Sequence, residues 1–164
     1  MAGFVYDWST TAADNDDADS TINWLEGQLP GSVNNSSRAM MAALASLLKD
    51  LNGTLTSGGS ANAQTVTANV GFTSLASGRL VSFKAGNTNT GAATLNVNAL
   101  GAKDIKVFNP LAGEEDVGAG QIRQNGHYLF QYDSALDGGT GAWVLLNPSP
   151  AITLSCRSRP RPRS

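Results

Sequence analysis

The apolar residues change their period once along this chain, and the change restricts the possible folds. Over residues 32–53 they recur every three or four positions, which is typical of an amphipathic helix. From residue 65 to residue 148 they alternate in short runs between turn residues, which is typical of β-strands. Residues 54–64, TLTSGGSANAQ, have almost nothing to bury, so we predict a linker there.

The helix predicted at residues 32–53 has recognisable ends and one apolar seam. Ser32 or Asn34 can cap its first turn, and the Asn52-Gly53 pair favours its end. The seam follows coiled-coil spacings of 4, 3 and 4 and consists of Met40, Leu44, Leu47 and Leu51. It can pack on the chain's own β module or on other copies of the chain. We favour self-association with other copies through this seam.

The β region, residues 65–150, is predicted to form an antiparallel meander of six to eight strands in a small sandwich or barrel-like module. Strands are predicted at 65–70, 80–84, 93–97, 105–108, 121–123, 127–132 and 142–146. The Asn125-Gly126 pair predicts a two-residue hairpin turn. Gly, Ala, Ser, Thr and Asn supply 83 of the 164 residues, so we expect copies of the chain to share a core.

The first 31 residues contain six acids and no Lys or Arg. Apolar anchors are spaced along this segment at Phe4, Tyr6, Trp8, Ile22 and Trp24. Such a pattern is typical of an extended arm that becomes ordered by docking on another protein. A disordered tail is the alternative. The last segment, residues 151–164, is instead basic, with four Arg among its residues, and it can pair with the acidic arm.

Residue usage argues against catalysis, cofactors and metals. One Cys and one His cannot supply a disulfide or a typical zinc site, and the chain has no Gly-x-Ser-x-Gly motif. Glu114-Glu115-Asp116 is predicted to be a solvated loop. Residues 1–150 have seven basic and thirteen acidic side chains, which disfavours nucleic acid as the main partner. We expect no secretory signal and no membrane insertion.

Aromatic residues near the end of the β region leave one alternative function open. Tyr128 and Tyr132 fall on one face of a predicted strand, near Trp143 on the next. They can stack on sugars of a host cell-surface glycan, as in a carbohydrate-binding module, or they can form part of the core. We favour the core, because the region has few other large side chains.

Two stretches resemble a known family. Residues 22–44, INWLEGQLPGSVNNSSRAMMAAL, resemble the amino-terminal signature of tail-fibre, collar and neck appendage proteins of tailed bacteriophages and prophages. Residues 82–105, SFKAGNTNTGAATLNVNALGAKDI, with the later YD turn and the closing WVLLNP, resemble the small β modules that follow it.

The resemblance implies a homotrimeric structural protein on the exterior of a phage particle, assembled in the bacterial cytoplasm. Its arm would dock on other virion proteins, and its helix would form a trimeric bundle. The Arg/Pro tail, residues 151–164, fits no part of the family pattern. This departure weakens the expectation that the chain itself recognises a host.

Overall fold

A computed structural model describes residues 5–16 and 19–150 of the chain. Over these residues the fold is mostly β, with one α-helix, α1 (Pro30–Leu51), and nine strands. The strands are β1 (Leu55–Thr56), β2 (Gly58–Ser60), β3 (Ala63–Val66), β4 (Leu80–Lys84), β5 (Thr94–Val97), β6 (Lys103–Asn109), β7 (Gly113–Asp116), β8 (His127–Asp133) and β9 (Ala142–Leu145). Short 3-10 turns occur at Val5–Asp7, Ala12–Asn15 and Asp137–Gly139.

The strands form one nearly closed, barrel-like sheet. Its order is β1-β4-β8-β9-β6-β5-β3-β2, and β7 pairs with β6 outside this path. The two ends of the path, β1 and β2, are separated along the chain by Ser57 alone, so the sheet curls back on itself. Pairs β1-β4, β3-β5 and β6-β9 are parallel. The antiparallel meander predicted from sequence is therefore wrong in part, because these long-range pairings have no local signature.

Several strand predictions are confirmed and others are wrong. The bounds predicted for β4 agree with the structure, and β5, β6, β8 and β9 lie within two residues of their predictions. Residues 121–123 form no strand, and the turn at Asn125 is not a hairpin because β8 pairs with β4 and β9. Residues 113–116 form edge strand β7 instead of the predicted loop.

The predicted linker is part of the sheet. Residues 55–56 and 58–60 form β1 and β2, and β3 begins inside the same segment. Buried Ser57 donates from its Oγ to Gln64 Oε1 at 2.8 Å and accepts from the Gly86 amide at 2.9 Å. A Cβ on Gly86 would lie 2.2 Å from the Ser57 carbonyl oxygen, so only glycine permits this approach. Polar contacts therefore hold a segment that has little to bury.

The β module encloses a core of its own. Alternate residues of β4, β8 and β9 point inward, and Phe83 stacks on Phe130 with ring centroids 4.7 Å apart. Phe83, Phe130 and Trp143 have no exposed surface. The small residues that dominate the composition let the strands close around these aromatic side chains within one chain. A core shared between copies, expected from composition, is not required by the module.

Helix α1 begins two residues earlier than predicted and is fixed to the module at its end. Leu29 occupies the cap position and Pro30 the first turn, so neither Ser32 nor Asn34 caps the helix. Asn52 follows the last turn and Gly53 has a φ of 76°, which confirms the predicted end. Near that end, Asp50 is 1% exposed and accepts three N–H bonds from Asn69 and Val70, at 2.6 to 2.8 Å.

Candidate protein-interaction site

Two adjacent faces of α1 differ in their surroundings. Ser36, Ala43 and Asp50 face the chain itself and are buried, at spacings of seven residues. Beside them runs a set of exposed apolar side chains, which we call the α1 stripe: Val33, Met40, Met41, Leu44 and Leu48, with exposed fractions of 38, 37, 72, 53 and 59%. Val33 and Met40 are seven residues apart, and Met40, Leu44 and Leu48 follow one another at intervals of four. Such intervals keep side chains on one side of a helix. The described part of the chain leaves much of this apolar surface exposed, although Trp8 and Trp24 lie beside Met40 and Leu44.

The predicted trimer seam is divided between these faces. Leu47 packs against the core of the β module, and Leu51 is half-buried. Met40 and Leu44 are exposed members of the α1 stripe. The sequence argument missed Leu48 and Met41, although both continue the helical spacing from Leu44. Part of the seam therefore packs within the chain, and its role between chains stays a prediction.

Tyr6, one of the predicted docking anchors, packs against the β module of its own chain. Its ring meets Phe72 edge to face at 6.4 Å, and the Arg79 guanidinium lies 4.4 Å from its centroid. The Leu80 amide donates to Tyr6 Oη at 3.0 Å. Asp7 pairs with Arg79 at 3.9 Å. These contacts fasten the start of the described arm to β4 and the loop before it.

The remaining anchors lie along α1. Ile22 is 7% exposed, and Asn23 exchanges two hydrogen bonds with Ser36 Oγ, at 2.9 and 3.1 Å. Trp8 and Trp24 are half-buried beside the helix, and Phe4 lies outside the described residues. The described arm thus returns along the helix from the β module towards Pro30. Tyr6 and Ile22 thus make contacts within their own chain, and the docking role expected of Trp8 and Trp24 stays a prediction.

The arm and the α1 stripe together form an apolar groove. It has a volume of about 370 Å³ and is lined by Trp8, Trp24, Ser37, Met40, Met41 and Leu44. We call it the tryptophan groove. A smaller cavity of about 90 Å³ adjoins it and shares Trp8, Trp24 and Met40, with Asn15, Asp19 and Ile22 as its other walls. Trp8 Nε1 and Asp19 Oδ2 are buried and have no hydrogen-bond partner among the described residues.

The predicted glycan residues are core residues. Tyr128, Tyr132 and Trp143 are 3, 4 and 0% exposed, and the rings of the last two meet at 5.3 Å. Tyr128 Oη accepts from the Arg123 amide at 2.8 Å and lies 2.7 Å from Ser149 Oγ. These side chains cannot form a sugar-stacking surface in this fold, because the rings face the interior of the barrel. The core interpretation is confirmed.

A charged cluster lies on the opposite side of the sheet from the core. Lys106 Nζ contacts Asp116, Asp137 and Asp104 at 2.7, 3.1 and 3.7 Å. The hydrogen bond that Lys106 donates to Asp116 raises the pKa of Lys106 above its ordinary value, against the effect of burial. A hydrogen bond from Thr140, followed by that from Lys106, lowers the pKa of Asp137. The Lys106 ammonium on β6 therefore bonds a carboxylate on β7 and another in the loop between β8 and β9.

No group of three or more His, Cys, Asp or Glu side chains within residues 5–16 and 19–150 is arranged to hold a metal ion. Within the same ranges, α1 and the rest of the fold include no helix that is long and apolar enough to cross a membrane. Comparison of the sequence with protein-family models and with curated proteins finds no match.

Proposed function

We propose that this chain is a structural subunit of a tailed-phage virion, a tail-fibre, collar or neck appendage, which trimerises through α1. The observation that carries the proposal is the α1 stripe. Its five apolar side chains run along the helix and are exposed in a single chain. Full burial of one such side chain is worth about 1.5–3 kcal/mol, so covering the stripe strongly favours association.

The architecture suits a helix that associates with copies of itself. Two heptads form a weak coiled coil alone, since short helices are marginal in water. Here the hydrogen bonds that the Asn69 and Val70 amides donate to Asp50 hold α1 on the folded module within one chain. The exposed far side of the helix, with Asn35 and Ala42, is polar or small and leaves one apolar face for neighbours.

The virion assignment depends on the resemblance of residues 22–44 and 82–105 to phage appendage proteins, and the arrangement of the chain is compatible with it. An arm, an associating helix and a compact β module follow one another. Trp8 and Trp24 retain surface near the helix for contacts with other virion proteins. Glycan binding is not supported at Tyr128, Tyr132 and Trp143, so it is not proposed at these residues.

The test is the solution mass of two matched variants measured by light scattering. Leu44→Asp with Leu48→Asp places two charges in the α1 stripe, and we expect the trimer to dissociate. Asn35→Asp with Ala42→Asp places two charges on the exposed far side of the same helix, and we expect the mass to stay unchanged. Equal masses for wild type and both variants would contradict the assembly role of the stripe.

The virion assignment has its own test. Antibodies against the β module should label tailed particles released by the bacterium that carries this gene, as seen by electron microscopy. Particles that contain no copy of the chain by mass spectrometry would contradict the assignment, whatever the oligomeric state of the purified protein.

A further inference from the structure

The outer face of the β module carries an exposed apolar patch that lies outside the α1 stripe. It consists of Phe108, Leu111 and Leu146, which are 60, 97 and 47% exposed. We call it the Phe108 patch. We propose that it docks a basic segment of another protein, whose apolar side chains pack on Phe108 and whose cationic groups pair with Glu114 and Glu115. This inference depends neither on trimerisation nor on the virion assignment.

The register of the sheet brings Phe108 and Leu146 to the same end of neighbouring strands. β6 and β9 pair in parallel, with Lys106 beside Val144. Phe108 lies two residues beyond Lys106, and Leu146 lies two residues beyond Val144. Residues two apart in a strand point to the same face, and Leu145, between Val144 and Leu146, is buried in the core. Phe108 and Leu146 therefore share the outer face of the sheet.

The patch continues onto the turn between β6 and β7. The Leu111 amide donates to Asn109 Oδ1 at 2.9 Å, which holds the conformation of this turn. β7 pairs with β6 outside the closed path of the sheet, so the hairpin extends the sheet beyond the barrel. Clustered exposed apolar side chains are typical of protein interfaces, and aromatic side chains are enriched at interface centres. Phe108 is therefore suited to be the apolar centre of a contact.

The rim of the patch carries negative charge that the chain does not neutralise. Glu114 lies directly opposite Phe108 in the register of β6 and β7, and Glu115 follows it. Both side chains are exposed, and among residues 5–16 and 19–150 neither forms an ion pair. Asp116 differs, because the Lys106 ammonium lies 2.7 Å from its carboxylate. A partner with cationic groups at the rim compensates the charges of Glu114 and Glu115.

One hydrogen bond orients each of these two carboxylates. The Asp137 amide donates to Glu114 Oε1 at 2.8 Å, and Asn109 Nδ2 donates to Glu115 Oε2 at 3.2 Å. The second oxygen of each carboxylate accepts no hydrogen bond from the described residues. Because a carboxylate accepts at both oxygens, each of them is open to a lysine or arginine of a partner.

Charge also disfavours the other occupants of the patch. Residues 107–122 include three acids and no Lys or Arg, so two patches that met face to face would bring like charges together. An anionic lipid surface would be repelled for the same reason. An uncharged protein would desolvate the Glu114 and Glu115 carboxylates without supplying a cation, which is costly. A basic segment with apolar side chains is complementary to both parts of the surface.

The experiment measures the binding of labelled synthetic peptides to the full-length protein by fluorescence anisotropy. The probe KLKFKLK is basic and apolar. Its comparison peptides are ELEFELE, which reverses the charge, and KSKSKSK, which lacks the apolar groups. We expect the probe to bind roughly tenfold more tightly than either comparison peptide, because each of those lacks one part of the match. Equal affinities for the three peptides would overturn the proposal.

Matched variants locate the contact on the molecule. Phe108→Ser with Leu146→Ser should weaken the binding of KLKFKLK roughly tenfold, because the apolar centre is lost. Leu25→Ser with Leu29→Ser is the control, since these side chains are 48 and 77% exposed just before α1, and the affinity should stay unchanged. Equal losses in the two pairs, or no loss in either, would mean that the peptide binds elsewhere, such as along the acidic arm, and would overturn the proposal.

The acidic rim has a separate readout. Glu114→Gln with Glu115→Gln should weaken the binding of KLKFKLK roughly tenfold at low salt and should reduce its salt dependence. Asp14→Asn with Glu26→Gln removes two exposed charges from the arm and should have little effect. Equal losses in these two pairs would indicate general charge attraction and overturn the proposal. Failure of KLKFKLK to bind at millimolar concentration would overturn it as well, and a lower solution mass for Phe108→Ser with Leu146→Ser would then identify a second copy as the occupant.

Discussion

The β module, residues 55–150, and the arm–helix half, residues 5–16 and 19–53, differ in how far their apolar side chains are buried. In the module the large aromatic side chains other than exposed Phe108 are enclosed, and Asn89 and Gln64 are hydrogen-bonded, although buried Trp143 Nε1 has no partner among the described residues. In the arm–helix half, the α1 stripe is exposed, and Trp8 and Asp19 each keep an unpaired buried atom. The module therefore encloses most of its apolar side chains, whereas the arm–helix half leaves the apolar α1 stripe exposed.

The largest effect should come from opening the core of the module. Phe83→Ala removes a fully buried ring stacked on Phe130, and we expect a loss of about 3–5 kcal/mol in the free energy of unfolding. Leu48→Ala on the α1 stripe should change the free energy of the dissociated chain by less than about 0.5 kcal/mol. Denaturant titration at one low protein concentration measures both. Similar losses at the two sites would remove the distinction between the halves.

A smaller effect is expected where the two halves meet. Asp50→Ala leaves the amides of Asn69 and Val70 without their acceptor, and we expect a loss of about 3 kcal/mol. Asp14→Ala, at an exposed position of the arm, is the control and should be nearly neutral. Unfolding curves of the two variants provide the measurement. An Asp50→Ala protein as stable as wild type would show that α1 is held to the module by other contacts.

The charged cluster should produce the smallest effect, visible in its pH dependence. Because the pKa of Lys106 is raised, its ion pairs stabilise the fold fully below pH 10.5, the ordinary pKa of lysine. This stabilisation is lost as the pH rises further. Because the pKa of Asp137 is lowered, its bonds stabilise the fold fully above pH 3.8, the ordinary pKa of aspartate. This stabilisation is lost as the pH falls. Lys106→Met should cost about 1 kcal/mol at pH 7, since its partners are largely exposed.

The pH dependence of the free energy of unfolding distinguishes this ionic role from simple packing. In wild type the free energy of unfolding should decline below about pH 4 and above about pH 10. Lys106→Met should make both declines smaller. Lys103→Met, at a half-buried position on the same strand, is the comparison and should largely retain the wild-type profile. A Lys106→Met profile parallel to that of wild type would mean that the side chain contributes packing alone.

The sequence predicted those parts of the fold whose signals are local. Periodicity located α1 and β4, and Asn52-Gly53 correctly marked the end of the helix. Periodicity could not locate β1 and β2, because these strands depend on hydrogen bonds that Ser57 makes with Gln64 and with Gly86, which is 29 residues away in sequence. Parallel pairs such as β3-β5 were missed for the same reason, since their contacts join distant segments.

The interaction surface could be predicted only in part. Helical spacing identified Met40 and Leu44, but it could not show that Leu47 turns towards the core. Charge and spacing predicted Trp8 and Trp24 to be docking anchors, and this stays a prediction. The tryptophan groove itself required the fold, because it forms only when the arm returns along α1. The burial of Tyr128 and Trp143 likewise followed from the closure of the barrel rather than from residue type.

The central claim is that the α1 stripe joins copies of this chain, and the solution mass of the full-length wild-type protein tests it most directly. Light scattering at micromolar concentration should give a particle of about three times the chain mass of 17.0 kDa. A mass of 17.0 kDa at every concentration measured would contradict the claim, because the stripe would then remain exposed to water in a stable monomer.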